Sequence, residues 1–391
     1  MENTSFITDA LEDLKMQGLL RSMKDIVGTQ GSRVTIDGRE YLNFCSNNYL
    51  GLADDPRIRR AAVDSIEADG FGSGASRLVC GNLEAHVALE KYMAEFKGTE
   101  GCLLFSTGYM ANVGILSSLF GRDDLILMDR LNHASLIDGA RLSGSKFKRF
   151  AHNDMKNLEE LLGINKSIVR KVIVVDSVFS MDGDIAPLDK IVALAKKYEC
   201  MVMVDEAHGL GVIGKNGKGV VEYFGLADEI DIQMGTFSKA VGSFGGYCCA
   251  KNEVIDYLIN KARSFIYTTG MPPSIAAASL EGMRIIKEHP ELRTKLWDNM
   301  SHLTLELKGL GFDPGYAMTP IIPLIVNDTQ KAVEFSTRLF EKNILVSAIR
   351  PPTVAEGTAR LRITLSATHQ IKEIDYLLDN LKVIGKDLGL V

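Results

Sequence analysis

The chain has 391 residues, of which 46% are hydrophobic and 24% are charged, and its formal net charge is -6. This balance is typical of a globular protein with one large and one smaller domain, and the acidic charge argues against nucleic acid as a partner. No apolar run approaches the length of a membrane-spanning helix, and residues 1–30 lack the apolar core of a signal peptide. We therefore expect a soluble, cytoplasmic protein with no membrane partner, and no His or Cys spacing suits a metal site.

The amino-terminal part, residues 1–50, is predicted to form an arm that contains a helix and a β-hairpin. The string "SRVTIDGREYLNF" has alternating apolar and polar side chains on both sides of Asp37 and Gly38. An Asp-Gly pair between two such runs is a strong sign of a two-residue hairpin turn.

Residues 51–285 are predicted to form a large α/β domain. Apolar runs of strand length alternate there with stretches of helical period; the runs are "GCLLF" (101–105), "DLILMD" (124–129), "KVIVVDS" (171–177), "MVMVD" (201–205) and "IDIQMG" (230–235). Near-continuous apolar strands separated by helices indicate a mostly parallel sheet with helices on both faces. In such a sheet, ligands bind at the carboxyl ends of the strands.

The pattern changes near residue 285. A long helical stretch, "PELRTKLWDNMSHLTLELKGLG", leads into shorter helical and strand-like units that continue to Val391. We interpret residues 286–391 as a smaller α+β domain.

A glycine-rich string raises the possibility of a nucleotide-binding protein. Residues 209–216, "GLGVIGKN", fit both a phosphate-loop pattern and the glycine spacing of a dinucleotide-binding loop. A phosphate loop needs Ser or Thr after its lysine to hold magnesium, and Asn216 stands there instead. A dinucleotide loop joins a strand directly to a helix, but "DEAH" intervenes. Both nucleotide functions are therefore weakly supported.

Asp205 and His208 are the first candidate site residues, because Asp205 ends an apolar strand and His208 follows it closely. A carboxylate at a buried strand end is costly unless it meets a cation. That cation is either a core arginine or the protonated ring nitrogen of a bound pyridine. His208 is either an ordinary buried histidine or a hydrogen-bond partner of the same ring.

Lys239 is the third candidate, in the string "GTFSKAVGSFGG". It lies among small residues and hydroxyls with no acid close by in sequence. It is either a surface lysine or a lysine that binds a cofactor covalently.

Two further strings place polar groups at strand ends. In "STGYMANVG", Gly108 and Tyr109 begin a helix directly after a strand, which suits a phosphate as well as an ordinary turn. In "DRLNHASLIDG", His133 stands at the entry of a helix, where it either caps the helix or stacks on an aromatic ring. Ser180 lies in the loop after the neighbouring strand.

Together these strings resemble the α-oxoamine synthases, a branch of the fold-type I enzymes that depend on pyridoxal 5'-phosphate (PLP). The resemblance covers nearly the whole chain, from "YLNFCSNNYLGL" (41–52) through "VFSMDGDIAPL" to "GTFSKAVGSFGG". It implies a mostly parallel seven-stranded sheet with a smaller carboxyl-terminal α+β domain. It also implies a PLP cofactor and a homodimer with active sites at the subunit interface. The family joins an amino acid to an acyl thioester with loss of CO2.

The resemblance also implies roles for individual residues. Lys239 is similar to the Schiff-base lysine, His133 to the ring-stacking histidine, and Asp205 to the partner of the pyridinium nitrogen. The remaining cofactor contacts that it implies are Gly108, Tyr109, Ser180, His208, Thr236 and Ser238, with Thr268 and Thr269 reaching the phosphate of the neighbouring subunit. Asn47 and Arg362 resemble the pair that holds the amino-acid carboxylate, and Arg21 and Thr353 resemble contacts of the acyl substrate.

The string "AIRPPTVAEGTARLRITLSATH" (348–369) most resembles the branch that joins L-alanine to a pimeloyl thioester in biotin biosynthesis. Asn48 instead favours the branch that uses glycine and acetyl-CoA, and a serine- and palmitoyl-CoA-using branch shares "GTFSK". The acyl carrier, coenzyme A (CoA) or a carrier protein, stays open. An aminotransferase of the same fold and a non-catalytic scaffold subunit are the competing classes.

Overall fold

The computed structural model describes residues 4–16, 19–21, 23–315 and 317–391. Its helices are α1 (Ser5–Met16), α2 (Pro56–Asp69), α3 (Glu84–Lys97), α4 (Gly108–Leu119), α5 (Ala134–Ser143), α6 (Met155–Ile164), α7 (Leu188–Tyr198), α8 (Val220–Phe224), α9 (Asn252–Lys261), α10 (Arg263–Ile266), α11 (Pro273–Glu288), α12 (Pro290–Gly309), α13 (Thr329–Glu341) and α14 (Ile371–Asp387). Its strands are β1 (Ile26–Val27), β2 (Arg33–Ile36), β3 (Arg39–Asn43), β4 (Gly101–Phe105), β5 (Leu125–Asp129), β6 (Lys146–Phe150), β7 (Lys171–Asp176), β8 (Met201–Asp205), β9 (Ile232–Thr236), β10 (Gly246–Ala250), β11 (Ile321–Asn327), β12 (Ile344–Leu345), β13 (Ser347–Ile349) and β14 (Ala359–Thr364).

The central sheet has seven strands in the order β4-β10-β9-β8-β7-β5-β6. The strands β6, β5, β7, β8 and β9 are parallel to one another, whereas β10 pairs antiparallel with both β4 and β9. The predicted fold class, a mostly parallel seven-stranded sheet, is therefore confirmed. The strand-by-strand prediction omitted β6 and β10. β6 reads "KFKRF", which is mostly charged and partly exposed at the sheet edge, so it lacks the apolar run of a central strand.

The sheet is buried on both faces. In β5, Leu125 and Leu127 belong to one apolar cluster, whereas Ile126 and Met128 belong to another. Successive side chains of a strand point to opposite faces, so the two clusters are the two layers between sheet and helices. This double burial explains why the strands read as unbroken apolar runs.

The predicted hairpin is confirmed, and it is joined to the carboxyl-terminal part of the chain. Asp37 and Gly38 have φ of 50° and 72°, the left-handed conformations that a two-residue turn of this type requires. β3 also pairs in parallel with β12, while β11, β14 and β13 form an antiparallel sheet of their own. The division at residues 50 and 285 stays a prediction.

The carboxyl ends of the parallel strands meet at one edge of the central sheet. β4 and β5 lead there into α4 and α5, while β7, β8 and β9 lead into loops. Within the described parts of the chain, no helix combines the length and the apolarity that crossing a membrane requires.

Candidate active site

A cavity of about 230 Å³ lies at these strand ends. Most of its walls come from segments that the sequence had singled out. Its lining residues are Thr107, Gly108, Tyr109, Asn112, His133, Ser135, Asp176, Ser180, Asp205, Ala207, His208, Met234, Thr236, Ser238 and Lys239. A larger groove of about 410 Å³ lies elsewhere, but its Arg33 is already paired with Glu40 and Glu373. The smaller cavity is therefore the stronger candidate.

Lys239 lines this cavity and is only partly exposed. Burial lowers its pKa from 10.5 to about 8, against the opposing influence of Asp205 and Asp176. An amine whose pKa lies near neutral pH gains and loses its proton readily. A lysine that binds a cofactor covalently or transfers a proton needs this property. Lys239 is thus not the surface lysine of the alternative interpretation.

Asp205 is buried at the end of β8 and is held by two donors. Its Oδ1 accepts from the Ala207 N–H at 2.9 Å, and its Oδ2 accepts from Asn112 Nδ2 at 2.8 Å. The Asn112 amide also donates to Ser135 Oγ at 2.9 Å, while its own Oδ1 is buried without a partner. The sequence interpretation of a core ion pair with arginine is wrong, because neutral donors hold this carboxylate.

The same network reaches His133, whose side chain caps α5. Its Nδ1 accepts from the Ser135 N–H at 3.3 Å and lies 2.7 Å from Ser135 Oγ. Because the Ser135 N–H can only donate, Nδ1 is an acceptor and the ring carries its proton on Nε2. The His133 N–H donates to Asp176 Oδ2 at 2.7 Å. Burial lowers the pKa of His133, which keeps the ring neutral.

The start of α4 forms another wall of the cavity. Thr107 caps the helix by accepting from the Met110 N–H, and Gly108 is its first residue. A side chain at Gly108 would place a Cβ 3.2 Å from Met234 Cε and 3.4 Å from Thr236 Cβ, so a larger residue would require these neighbours to shift slightly. Tyr109 is half exposed and donates its hydroxyl to Asp138 Oδ2 at 2.7 Å.

Thr236 and Ser238 lie across from that helix start. Thr236 Oγ1 donates to the Gly245 carbonyl at 2.6 Å and lies 2.8 Å from Ser238 Oγ. Thr236 is buried, whereas Ser238 is exposed at the cavity mouth. A helix amino terminus beside hydroxyl groups is an arrangement that suits a phosphate.

His208 is buried beside Tyr49. Its Nδ1 lies 2.6 Å from the Tyr49 hydroxyl. Burial, followed by the nearby cations Lys239 and Arg362, lowers the pKa of His208 well below its usual value. The ring is therefore neutral at physiological pH.

Arg362 lies on β14 and connects the cavity to the carboxyl-terminal sheet. Its Nε donates to the Ser180 carbonyl at 2.6 Å, and its Nη2 donates to Asn47 Oδ1 at 3.0 Å. Its Nη1 donates to Thr364 Oγ1 at 2.9 Å. The structure thus brings the predicted carboxylate pair, Asn47 and Arg362, together next to Ser180.

Six predicted contacts lie outside the cavity lining: Asn47 and Arg362, described above, and Thr268, Thr269, Thr353 and Arg21. Thr268 and Thr269 instead line a narrow cleft with Arg77 and Ser106. Thr353 is exposed in the turn between β13 and β14, and Arg21 is exposed outside any helix or strand. Their predicted roles stay predictions.

Sequence reasoning missed Asp176, Asn112, Ser135 and Tyr49. Asp176 carried the signal that identified Asp205, because both end an apolar strand. Asn112 and Ser135 lie inside helices, where no spacing points to a strand end on another segment. Tyr49 carried no signal in the sequence.

Comparison with known proteins places the chain in a family. The sequence pattern of the aminotransferase class I and II family matches residues 39–381. The chain belongs to this family. Within it, the chain is 48% identical to the 8-amino-7-oxononanoate synthase of Geobacter sulfurreducens over 99% of this chain and all of that protein. The predicted α-oxoamine synthase branch is thereby confirmed.

Solved structures agree on the fold of this aminotransferase-family chain. The serine palmitoyltransferase of S. paucimobilis, solved with a bound PLP–myriocin aldimine, is 32% identical with a TM-score of 0.94, and both chains are covered completely. The 8-amino-7-oxononanoate synthase of Francisella tularensis is 29% identical with a TM-score of 0.78, covering 89% of this chain and 98% of that one. Fold similarity alone does not select between their substrates.

The cavity fits the cofactor that this family uses. Lys239 offers an amine of lowered pKa, and the buried Asp205 carboxylate suits a protonated ring nitrogen. The Asn112 Oδ1 without a partner offers an acceptor that the protein itself does not satisfy. The helix start at Gly108 offers backbone N–H groups to a phosphate.

Proposed function

We propose that the chain is a PLP-dependent acyltransferase that condenses L-alanine with a pimeloyl thioester. The products are 8-amino-7-oxononanoate, CO2 and the free thiol of CoA or of an acyl carrier protein, a step of biotin biosynthesis. The 48% identity to an 8-amino-7-oxononanoate synthase over both whole chains is the observation that carries this proposal. The cavity around Lys239 supports it with the groups that such chemistry needs.

PLP, when bound, supplies an electron sink for the bond that breaks at the amino-acid Cα. Lys239 would hold the cofactor covalently through Nζ, and its free amine would accept the proton from the alanine Cα. Its pKa of about 8 suits a base that works near neutrality. Asp205 keeps a proton on the ring nitrogen of the cofactor, and Asn112 orients that carboxylate.

The condensation forms a bond between the alanine Cα and the thioester carbonyl carbon, while the carbon–sulfur bond breaks and the thiol leaves. The alanine carboxylate then leaves as CO2, and the Cα takes up a proton in place of the broken bond. His133 presents Nε2–H toward the cavity and donates a hydrogen bond to the oxygen on which charge develops. Such a donor contributes about 2.7–4 kcal/mol to transition-state stabilisation in comparable sites.

Arg362 and Asn47 bind the amino-acid carboxylate. A guanidinium fork matches a carboxylate geometrically, and Ser180 and Thr364 hold this one in place. Arg362 lies close enough to Lys239 to lower its pKa. The proposed site for the substrate carboxylate is therefore near the amine of Lys239.

The chain acts as a cytoplasmic homodimer in this proposal. Thr268 and Thr269 lie outside the cavity of their own subunit, as residues that serve a neighbouring subunit's site would. Exposed Phe71, Val79 and Tyr267 supply apolar surface for such an interface.

A serine palmitoyltransferase-like activity is the second candidate, because the serine palmitoyltransferase of S. paucimobilis is 32% identical over both whole chains. The glycine-using branch has less support. Asn48, which suggested it, accepts from the Ala53 N–H and donates to the Gln30 carbonyl, both at 3.3 Å. Its side chain therefore fixes a loop and does not report on the substrate.

The deciding experiment offers alanine, glycine and serine with pimeloyl-, acetyl- and palmitoyl-CoA, and measures thiol release. We expect alanine with pimeloyl-CoA to give the highest kcat/KM. A preference for serine with palmitoyl-CoA, or for glycine with acetyl-CoA, would overturn the choice of substrate. Borohydride reduction followed by peptide mass spectrometry tests the cofactor separately, and the label should lie on Lys239.

A further inference from the structure

Tyr49 connects two parts of the site that the proposed function uses separately. It lies in the loop after β3, and only 1% of its surface is exposed. Its hydroxyl is 2.6 Å from His208 Nδ1 and 3.4 Å from Asn47 Oδ1. Asn47 Oδ1 in turn accepts from Arg362 Nη2 at 3.0 Å. A line of contacts therefore runs from the arginine to the histidine through one phenol.

The direction of the hydrogen bond between Tyr49 and His208 follows from charge and distance. Burial raises the pKa of Tyr49 to about 12, so the phenol keeps its proton. Two arrangements fit these contacts: the phenol donates to His208 Nδ1, or it accepts from a protonated Nδ1 and donates to Asn47 Oδ1. The 2.6 Å separation is shorter than an N–H···O bond, which is about 2.7–3.2 Å long, but is ordinary for an O–H donor. Asn47 Oδ1 is also already engaged by a guanidinium donor. The phenol accordingly donates to His208 Nδ1.

A donor at Nδ1 decides what His208 shows to the cavity. A neutral imidazole carries one proton, so a ring that accepts at Nδ1 is protonated at Nε2. His208 lines the cavity beside Lys239. His208 Nε2–H therefore offers a hydrogen-bond donor to an oxygen of the bound ring. In the opposite tautomer, Nε2 would offer a lone pair instead.

We propose that Tyr49 is a positioning residue that fixes His208 as the Nε2–H tautomer. The inference rests on the proposed function for the identity of the ligand that His208 faces. The tautomer itself is a property of the protein alone.

The test begins with the apoprotein, labelled with ¹⁵N in its histidine rings. His208→Gln identifies the His208 signals, and Tyr49→Phe removes only the hydroxyl. We expect the wild-type His208 ring to be protonated at Nε2 with an acceptor Nδ1, and Tyr49→Phe to shift its Nδ1 signal. Tyr41→Phe is the matched control, because Tyr41 is also buried and close in sequence but contacts Phe340 instead.

The second measurement uses the holoenzyme. Loss of one hydrogen bond to His208 should lower kcat about tenfold in Tyr49→Phe. KM for the amino acid should change little, because the bond between Arg362 and Asn47 does not involve the phenol. Tyr41→Phe should leave both constants near wild type.

Two results would overturn the inference: a wild-type His208 ring protonated at Nδ1, or His208 signals that are unchanged in Tyr49→Phe. The apoprotein signals are measured without substrate. They therefore test the tautomer of His208 even if the thiol-release assay shows that alanine is the wrong amino acid.

Discussion

Asp176 and Asp205 occupy paired positions at the ends of β7 and β8, so two carboxylates lie side by side in the cavity wall. Burial, and then the neighbouring Asp205, raises the pKa of Asp176 well above its usual value. Asp205 is the partner proposed for a cationic ring, and Asp176 accepts from the His133 N–H. The two neighbouring carboxylates therefore differ in role, because each one has different hydrogen-bond donors and different neighbouring charges.

The first prediction follows from that pair. Because its pKa is raised on folding, Asp176 makes the apoprotein less stable as pH rises above the unfolded value of about 4. Asp176→Asn keeps an acceptor for His133 and removes this pH dependence, so it should be at least as stable as wild type near pH 7. Asp176→Ala leaves the His133 N–H unpaired and should cost about 1–3 kcal/mol. Urea unfolding at about pH 4 and pH 7 measures both; equal loss in the two variants would contradict the prediction.

Lys239 is predicted to lower the free energy of unfolding of the apoprotein, because the amine that catalysis needs is buried. Its folded pKa of about 8 lies below the ordinary 10.5, so the penalty is fully present below pH 8 and is relieved as pH rises toward 10.5. Lys239→Met should abolish turnover and stabilise the apoprotein at pH 7 by about 2–3 kcal/mol. Denaturant unfolding tests the predicted gain in stability, and thiol release tests the predicted loss of turnover. An active Lys239→Met enzyme would refute the catalytic assignment.

His152 is predicted to stabilise the loop that carries Ser180. Burial alone would lower its pKa, but hydrogen bonds to Asp129 and Asp184 raise it to about 10. Its stabilisation is therefore complete below about pH 6.5 and is lost as pH rises through 10. His152→Gln should cost about 1.5–3 kcal/mol at pH 6 and much less above pH 10.

The control for His152 is His302→Gln, because His302 pairs with Asp375 on the surface, where an ion pair contributes little. Guanidinium unfolding curves across pH measure both variants. A cost for His152→Gln that does not change with pH would show that its charge is unimportant.

Arg362 and Arg360 are predicted to differ in their effects although both are buried on β14. Arg362 holds Asn47 and the Ser180 carbonyl, whereas Arg360 pairs with Asp182. Arg362→Lys should raise KM for the amino acid about tenfold or more, because a lysine cannot reproduce the fork. Arg360→Lys should leave that KM nearly unchanged. Steady-state kinetics at saturating thioester decide, and similar KM values in the two variants would argue against carboxylate binding by Arg362.

A site residue could be predicted from the sequence when its own segment determines its position. It could not be predicted when its position depends on hydrogen-bond partners from other segments. Asp205 and Lys239 were predictable, because a polar residue after an apolar strand is placed by the sheet itself. Asn112 was not, since its partners Asp205 and Ser135 come from other segments.

The sequence alone determined the class of the protein: apolar runs of strand length set the parallel sheet, and its strand ends set the edge where ligands bind. It also carried the family resemblance that the comparisons confirm. Only the tertiary structure decided which hydrogen bonds each polar group makes, and hence which ring nitrogen of His133 accepts and which carboxyl group has its pKa raised. Those properties depend on burial and on donors within about 3 Å, and such donors come from segments far apart in the chain.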